Sequence, residues 1–231
     1  MKYPSPLVPG TVVRRYKRYL IDVELADGTV VTAHCPNPGR MTSCMAEGAP
    51  CRLQHAPSPK RKLAWTLEQV QIDSVWIGVH PRLANDVVAE GLADGVVPQF
   101  VDAELVEREV VAGDSRVDFR VTIDTVPHWV EVKQVTLRAE DGMAAFPDAV
   151  TARGLKHVGE LLRLVKDGGK ASFLFAVARE DVNEVRPADE VDPAYCNALR
   201  AAAKQGVGVI AHRIVVQEEG LTLGAAIPVI L

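Results

Sequence analysis

The chain has 231 residues, of which 48% are hydrophobic and 24% charged, the composition of an ordinary globular protein. It has no run of about 18 apolar residues, which excludes a membrane helix, and no apolar signal-peptide stretch is predicted at the N-terminus. Four cysteines without CxxC spacing argue against a disulfide framework or a zinc site. We therefore expect reduced thiols and a cytoplasmic location.

The formal net charge of −4 conceals an uneven distribution along the chain. Residues 1–80 carry ten Lys/Arg against six Asp/Glu, a balance of +4, whereas residues 81–231 carry sixteen against twenty-four, a balance of −8. The positive charges concentrate in two clusters, which are Arg14, Arg15, Lys17 and Arg18, and Lys60, Arg61 and Lys62. Basic clusters hold a phosphate backbone by releasing its counterions, although each cluster alone also fits a solvated loop. The asymmetry favours nucleic-acid binding by the first part of the chain.

Residues 1–80 show short apolar runs separated by turns. Strands are predicted at residues 11–19, 20–25, 30–35, 51–54 and 66–72. Asp27-Gly28 between two apolar runs is a good hairpin signal, and the prolines around Asn37 break the chain again. About five short strands with basic loops predict a small β-barrel resembling an OB-fold, which would form a nucleic-acid-binding domain over residues 1–80.

After residue 80 the pattern becomes a mixture of helices and strands. Helices are predicted at 83–92, 151–166 and 195–204, and strands at 104–111, 116–123, 128–137, 171–178 and 207–214, the last being the final strand. Helical periodicity interleaved with apolar strands is typical of helices packed on a central sheet. The chain is therefore predicted to be a two-domain α/β (α+β) protein whose second domain covers residues 81–231.

Two neighbouring predicted strands carry the most informative polar residues. Glu131 and Lys133 are two residues apart, so they lie on one face of their strand. If Asp124-Thr125 forms a tight turn, Asp118 on the preceding strand lies directly across from Glu131. A four-residue loop about the same centre keeps this pairing, whereas a three-residue loop places the two carboxylates on opposite faces. A tight turn thus brings two carboxylates and a lysine to one patch.

This constellation suits the hydrolysis of phosphodiesters. The carboxylate oxygens of Asp118 and Glu131 are ligands that Mg²⁺ or Mn²⁺ prefers, and such an ion activates water and polarises the phosphate. Lys133 would orient or deprotonate the attacking water, or stabilise charge on the phosphate. The alternative is an exposed cross-strand group of charges, which contributes only about 0.2–1 kcal/mol to stability.

Two predicted helices supply further candidates. Glu90 lies at the edge of the apolar arc of the first helix, where it is either a metal ligand or a surface residue at the helix end. On the second helix Arg153, His157 and Glu160 form one polar stripe, which either contacts phosphate through Arg153 and His157 or faces solvent. The opposite arc of that helix comprises Leu155, Val158, Leu162 and Val165.

Six groups of short motifs occur in order along almost the whole chain. They are Arg15-Tyr16-Lys17-Arg18; His34-Cys35-Pro36-Asn37 with Gly39 and Met41; Lys60-Arg61-Lys62; Ser115-Arg116-Val117-Asp118-Phe119; Val130-Glu131-Val132-Lys133 with Val135-Thr136-Leu137; and Phe146-Pro147-Asp148-Ala149-Val150-Thr151 with Arg153, Lys156 and His157. Together they resemble the sugar fermentation stimulation protein family, SfsA. The ordered set is much more specific than any one motif.

The resemblance implies an N-terminal OB-like domain and a C-terminal domain similar to the PD-(D/E)xK nuclease superfamily. In that superfamily an acidic residue on one strand and Glu-x-Lys on the next form the metal site, often with a glutamate from the first helix. Carried onto this sequence, these positions are Asp118, Glu131, Lys133 and Glu90. Val117 replaces the proline of the superfamily's name, which is a common substitution. The family is also described as DNA-binding and is linked by its name to the regulation of sugar metabolism genes.

The sequence therefore predicts a DNA-binding protein with a nuclease site that uses Mg²⁺ or Mn²⁺. No membrane contact is expected, and assembly as a homodimer is compatible with the sequence. Two alternatives use the same residues: a DNA-binding regulator of sugar metabolism genes that retains a nuclease fold without turnover, and an RNA-directed enzyme. Tyr16 or Trp65 would either stack on an unpaired base or be buried in the barrel.

Overall fold

A computed structural model describes residues 1–113 and 115–231 of the chain. The N-terminal strands are β1 (Val8–Tyr16), β2 (Leu20–Leu25), β3 (Val30–His34), β4 (Pro50–His55), β5 (Trp65–Ile72) and β6 (Val75–Gly78). Their order is β3-β2-β1-β4-β5-β6, and parallel pairing between β3 and β5 closes the first five into a barrel. The predicted barrel of about five short strands is confirmed.

Alternating burial and tight turns shape this barrel. Ile21 and Val23 of β2 point into its core, whereas the intervening Asp22 accepts hydrogen bonds from neighbouring side chains. Gly28 has a φ of +81° in the β2–β3 hairpin, a conformation that other residues rarely adopt, which confirms the Asp-Gly turn signal. The sequence pattern did not reveal β6, which follows β5 after a two-residue turn with positive φ values.

The remaining chain builds a six-stranded sheet and a smaller three-stranded one. Its elements are α1 (Pro81–Ala93), β7 (Leu105–Ala112), β8 (Ser115–Ile123), β9 (Val126–Val135), β10 (Leu137–Arg138), β11 (Ala144–Phe146), α2 (Ala152–Lys166), β12 (Lys170–Val177), β13 (Val185–Pro187), α3 (Pro193–Lys204), β14 (Gly208–Val216) and β15 (Leu221–Ala226), with a short 3₁₀ turn at Pro98–Phe100. The large sheet has the order β15-β14-β12-β9-β8-β7, and the small one β10-β11-β13. Strands β9, β12 and β14 run parallel, while the other neighbours in the large sheet are antiparallel.

The helices cover both faces of the large sheet. Val87 and Val88 of α1 share one apolar cluster with Phe119 of β8. Leu161 of α2 and Leu199 of α3 belong to a second cluster, on the other face. Within the described residues, no helix is long and apolar enough to cross a membrane. The predicted arrangement of helices on a central sheet is confirmed.

Two expectations about this part of the chain are corrected. The strand at 207–214 is not the final one, because antiparallel β15 follows it and forms the sheet edge. The buried residues of α2 are Gly154, His157, Val158, Leu161 and Leu164. Leu155, which was placed on the apolar arc, is instead 41% exposed. Apolar residues occur around most of this helix, so periodicity alone does not fix its face, and Glu131 provides the partner that lets His157 be buried.

A buried arginine connects the barrel to the α/β part of the chain. Arg179 is 2% exposed and pairs with Asp181 at 2.7 Å. Its Nη1 donates to the carbonyl oxygen of Thr136 at 2.8 Å and to that of Ser43, in the segment between β3 and β4, at 3.2 Å. Charge-assisted hydrogen bonds to segments far apart in sequence fix those segments against each other.

Arg179→Met is expected to lower the free energy of unfolding by roughly 2–3 kcal/mol, because the carbonyl oxygens of Thr136 and Ser43 lose their buried donor. Urea titration of the full chain measures this loss. Lys204→Met, at the exposed end of α3, serves as the control and should change stability by less than about 0.5 kcal/mol. An Arg179→Met protein as stable as the wild type would contradict the connecting role.

Candidate functional site

A cleft of about 570 Å³ lies between the barrel and the large sheet. Its barrel side is formed by Arg18 of the β1–β2 turn and by residues 37–39 of the loop after β3. Its other walls come from the first turns of α1 and α2, from β8 and β9, and from residues 145–151. The cleft is therefore built by elements from both parts of the chain.

The β8–β9 hairpin brings the two predicted carboxylates to this cleft. Asp124 and Thr125, with φ of 49° and 65°, form a two-residue turn between the strands. The ladder of paired residues runs from this turn to the step just before Asp118 and Glu131. Of the loop lengths that the sequence left open, the two-residue turn is the one observed, and both carboxylates line the cleft.

The Asp118 carboxylate is held by one backbone donor and one side-chain donor. Its Oδ2 accepts the N–H of Val132 at 2.8 Å, and its Oδ1 accepts Nδ2 of Asn85, on α1, at 2.8 Å. Burial and the nearby charge of Glu131 raise the pKa of Asp118 to about 6. The carboxylate is thus oriented but faces a repulsive neighbour, and either a proton or a cation would relieve that repulsion.

Glu131 is the centre of a second group of hydrogen bonds. It is 3% exposed, and its Oε1 accepts Nζ of Lys133 at 2.7 Å and a short bond from Nδ1 of His157. Burial opposes ionisation, but the hydrogen bond from His157 and the charge of Lys133 hold the pKa of Glu131 below its usual value. Arg153 Nε donates to Nε2 of His157 at 3.4 Å, so a neutral imidazole carries its proton on Nδ1, facing Glu131. Glu131 is therefore held as an anion.

Glu90 does not belong to this site, contrary to the expectation from the resemblance. Its side chain is 55% exposed and forms an ion pair with the N-terminal amine of Met1. Helix α1 reaches the cleft with its first turns only, so Asn85 contacts Asp118 while Glu90 lies more than a turn further along. Asn85 and Arg82 of α1 are among the cleft residues that the sequence did not predict. Their i, i+3 spacing, which puts both on one helix face, was the available signal.

The basic residues of the β1–β2 region divide into paired and free ones. Arg14 pairs with Asp22 at 2.9 Å. Arg15 donates to the carbonyl oxygens of residues 18, 37, 39 and 40, so it holds the loop after β3 against the β1–β2 turn. Lys17 and Arg18 form that turn, with φ of 50° and 65°. Of these four basic residues, Arg18 is the one that lines the cleft.

The other residues predicted to contact nucleic acid lie partly on the barrel surface and partly in the cleft. Lys60, Arg61 and Lys62 lie in the exposed loop between β4 and β5, where Arg61 donates to Oγ1 of Thr66 at 2.6 Å. Arg153 lines the cleft, and His157, although it also borders the cleft, is buried against Glu131.

Neither aromatic residue considered for base stacking presents a free ring. The Tyr16 hydroxyl donates to Asp22 at 3.1 Å, and the guanidinium of Arg14 covers its ring. Trp65 stacks on His55 with 4.1 Å between ring centroids, and it packs against the barrel core. Trp65 therefore packs against the barrel core, as the alternative had it, whereas Tyr16 is half-buried and lies outside that core.

The protein is of the class in which a closed OB-type barrel is joined to an α/β sheet domain, with two carboxylates and a lysine at the junction. The family model described as SfsA N-terminal OB domain matches residues 13–79, and the one described as sugar fermentation stimulation protein RE domain matches residues 82–220. The chain therefore belongs to the sugar fermentation stimulation protein family, as the motifs predicted.

Individual relatives match over nearly the full length. A sugar fermentation stimulation protein homolog of Geobacter metallireducens is 45% identical over 233 residues, which cover 100% of both chains. A homolog of Magnetococcus marinus is 48% identical over 213 residues, or 92% of this chain and 91% of its own. The solved structure of Pyrococcus furiosus SfsA in complex with Ca²⁺ has a TM-score of 0.89 at 24% identity, covering 100% of this chain and 98% of its own. That likeness shows the shared fold.

Proposed function

We propose that this protein binds nucleic acid and hydrolyses its phosphodiester bonds with the help of Mg²⁺ or Mn²⁺. The observation that carries the proposal is the meeting of Asp118, Glu131 and Lys133 in one cleft, from two adjacent strands. This is the arrangement expected of the PD-(D/E)xK superfamily, to which we assign the part of the chain over residues 81–231. The barrel over residues 1–80 is the proposed nucleic-acid-binding domain.

The donor chemistry of the cleft fits a hard divalent cation. Asp118 offers its carboxylate, and Glu131 offers Oε2 because its Oε1 is engaged by Lys133 and His157. Among the described residues, no three His, Cys, Asp or Glu side chains are grouped to hold a metal ion. Mg²⁺ suits such a sparse set, since it keeps several waters and takes further ligands from a substrate phosphate. When bound, the ion would lower the pKa of a water and polarise the phosphate.

A related protein supports a hard cation at this fold. The Pyrococcus furiosus protein was solved in complex with Ca²⁺, which prefers oxygen ligands as Mg²⁺ does. We extend this preference to the carboxylates of the present chain, with Mg²⁺ or Mn²⁺ as the proposed ion.

Three side chains of this chain act around the carboxylates in the proposed reaction. We assign Lys133, whose Nζ also donates to Glu131, to binding the phosphate and stabilising the charge on it. Arg153, which lines the cleft from α2, is placed to bind a phosphate oxygen. His157 is 8% exposed and donates to Glu131, so we assign it as a positioning residue instead of a phosphate contact.

The barrel carries its basic residues where OB-folds bind their ligands. In this fold the β1–β2 and β4–β5 loops and the face of strands 2 and 3 hold oligonucleotides. Here the first loop carries Lys17 and Arg18, and the second carries Lys60, Arg61 and Lys62. We propose DNA as the preferred partner, and a cytoplasmic location, which the four free and buried cysteines fit.

Cleavage of labelled nucleic acids tests this function. Single-stranded, duplex and branched DNA, with RNA beside them, are incubated with Mg²⁺, Mn²⁺ or EDTA. The expected result is a set of products that requires the metal and that Asp118→Asn no longer forms. Binding of DNA without any cleavage would contradict the nuclease and support the non-catalytic regulator.

Replacing Lys60, Arg61 and Lys62 together with glutamine should weaken DNA binding and flatten its dependence on salt. Each lost phosphate contact reduces the slope of log K against log salt by about 0.7–0.9, so three contacts would change it by roughly 2–3. Fluorescence anisotropy between about 50 and 200 mM KCl measures this slope.

A matched control for that variant replaces Lys166, Lys170 and Lys204 with glutamine. These three lysines are exposed and lie away from the cleft, at the ends of α2 and α3 and the start of β12. The control removes the same net charge, so its salt slope should stay close to that of the wild type. An unchanged slope in the Lys60, Arg61 and Lys62 variant would remove those residues from the interface.

A further inference from the structure

Tyr19 presents an exposed aromatic ring next in the chain to a residue of the cleft wall. It directly follows Arg18, which lines the cleft, and it is 47% exposed. Its ring stacks on that of His34, on β3, with 16° between the planes and 6.4 Å between the centroids. Its carbonyl oxygen accepts the N–H of Cys35 at 2.9 Å, so the ring is carried by a fixed backbone. One side of the ring is supported, and the exposed side is available to a planar ligand.

Two arginines of the cleft wall have unused donors. Arg18 and Arg82 are both exposed and both line the cleft, and neither makes a side-chain hydrogen bond or ion pair with another described residue. Arg14 and Arg108, in contrast, are held by carboxylates. A guanidinium with free donors binds phosphate in a bidentate way. The cleft thus offers positive charge next to its carboxylates, where a phosphate would have to enter.

Further contacts connect Tyr19 to the basic β4–β5 loop. His34 pairs in register with Thr66 of β5, and Oγ1 of Thr66 accepts the guanidinium of Arg61. Arg61, His34, Tyr19 and Arg18 therefore follow one another across the outside of the barrel towards the cleft. We call these four residues the barrel strip. The strip runs from the β4–β5 loop over the end of β3 to the β1–β2 turn, which are elements with which OB-folds bind oligonucleotides.

The cleft to which the barrel strip leads has a limited volume. A volume of about 570 Å³ is within the range of pockets that hold a ligand of drug size. That is the scale of the one or two nucleotides that would lie against Asp118 and Glu131. The barrel loop at residues 37–39 forms one wall and α2 another, so the carboxylates are reached from within a cleft and not from a flat surface.

We infer that the substrate is a single-stranded nucleic acid that lies along the barrel strip, with one base stacked on Tyr19 and phosphates bound by Arg18 and Arg82. This inference rests on the proposed function and adds the strandedness of the substrate and the residue that holds a base. A base stacks on an aromatic side chain when its own ring face is free, as in a single strand. The strand then leads to Asp118 and Glu131.

Binding measured in EDTA tests the inference separately from cleavage. The probes are fluorescein-labelled oligo(dT), oligo(rU) and a blunt DNA duplex of the same length, followed by fluorescence anisotropy. The two single strands should bind more tightly than the duplex, and their ratio separates DNA from RNA as the source of the ligand. Tyr19→Ala should weaken single-strand binding about 5- to 150-fold, which corresponds to roughly 1–3 kcal/mol per stacked base. Tyr19→Trp should bind nearly as well as the wild type.

The arginines are tested by the double variant Arg18→Gln, Arg82→Gln. It should weaken oligo(dT) binding and reduce the salt slope by about 1.4, the value for two contacts to a single strand. Lys204→Gln, at the exposed end of α3, should behave as the wild type. Because Tyr19, Arg18 and Arg82 support no core packing, all variants should unfold at the wild-type temperature.

The outcomes separate this inference from the proposed nuclease activity. A Tyr19→Ala protein that binds oligo(dT) as tightly as the wild type would overturn the inference, and so would a blunt duplex that is bound and cut as well as the single strands. If the protein cleaves nothing in Mg²⁺ or Mn²⁺ but binds oligo(dT) through Tyr19, the proposed nuclease activity is refuted. Binding of a single strand along the barrel strip is then upheld.

Discussion

Asp118→Asn is expected to raise the free energy of unfolding of the metal-free protein at pH 8 while it abolishes metal-dependent cleavage. The pKa of Asp118 is about 6 in the folded protein, against an ordinary value of 3.8. Because the folded state binds this proton more tightly than the unfolded state does, the contribution of Asp118 to stability is greatest below pH ~4 and is lost as the pH rises through about 6. A difference of this size corresponds to a penalty on the order of 1–3 kcal/mol at pH 8. An uncharged asparagine removes it.

Urea titrations in EDTA at pH 5 and pH 8 check the stability part. The variant should exceed the wild type at pH 8, and the difference should shrink at pH 5, where Asp118 is largely protonated. Added Mg²⁺ should stabilise the wild type and leave the variant unchanged, since a cation stabilises only the state that binds it. Cleavage should fall about 1,000-fold or more.

Asp86→Asn is the matched control for Asp118→Asn. Asp86 is an aspartate as well, but it lies on α1, is half exposed and pairs with Arg108 at 2.5 Å. Its replacement should leave cleavage and the response to Mg²⁺ as they are in the wild type. An Asp118→Asn protein that is less stable than the wild type at pH 8 would show that the hydrogen bonds from Val132 and Asn85 outweigh the repulsion from Glu131.

Local rules were sufficient to predict the β8–β9 hairpin and the carboxylates that it carries. The alternating apolar residues and the Asp124-Thr125 turn define the register, and the register places Asp118 across from Glu131. These constraints act over a few residues, so the register follows without the rest of the fold once the turn has two residues, which the sequence alone left open.

The contributions of the helices depend on tertiary packing, which a helical pattern does not contain. Glu90 and Asn85 are both polar residues on α1, and only the position of the first turns of the helix at the cleft decides that Asn85 meets Asp118. His157 is buried because it finds Glu131, which lies 26 residues earlier in the chain. The sequence around His157 does not distinguish this outcome from a solvated helix face.

The arginines of the β1–β2 region show the same limit within the barrel. Arg15 and Arg18 belong to one basic cluster, and its charge alone predicts the same role for both. The loop after β3 folds over Arg15 and uses its donors, whereas Arg18 is left free at the cleft. Charge clustering therefore predicts a basic region of the barrel but not which of its residues have donors to spare.

Glu131→Gln is expected to lower stability as well as activity, in contrast to Asp118→Asn. Glu131 is 3% exposed and accepts hydrogen bonds from both Lys133 and His157 through Oε1. Glutamine would leave the Lys133 ammonium, whose side chain is 15% exposed, without its counter-charge. Removing one partner of a buried ion pair costs roughly 3–5 kcal/mol. Cleavage should again fall about 1,000-fold or more, because the proposed metal loses a ligand.

The double variant Glu131→Gln, Lys133→Met separates this loss of stability from the loss of chemistry. Replacing both members of a buried pair by neutral groups removes the stranded charge, so most of the lost stability should return while cleavage stays absent. Urea unfolding of the wild type, of Glu131→Gln, of Lys133→Met and of the double variant completes a thermodynamic cycle. We expect a coupling of roughly 1–3 kcal/mol between the two positions. If the losses of unfolding free energy in the two single variants simply add up to that of the double variant, the coupling is zero. The ion pair between Glu131 and Lys133 then does not contribute to the stability of the metal-free protein.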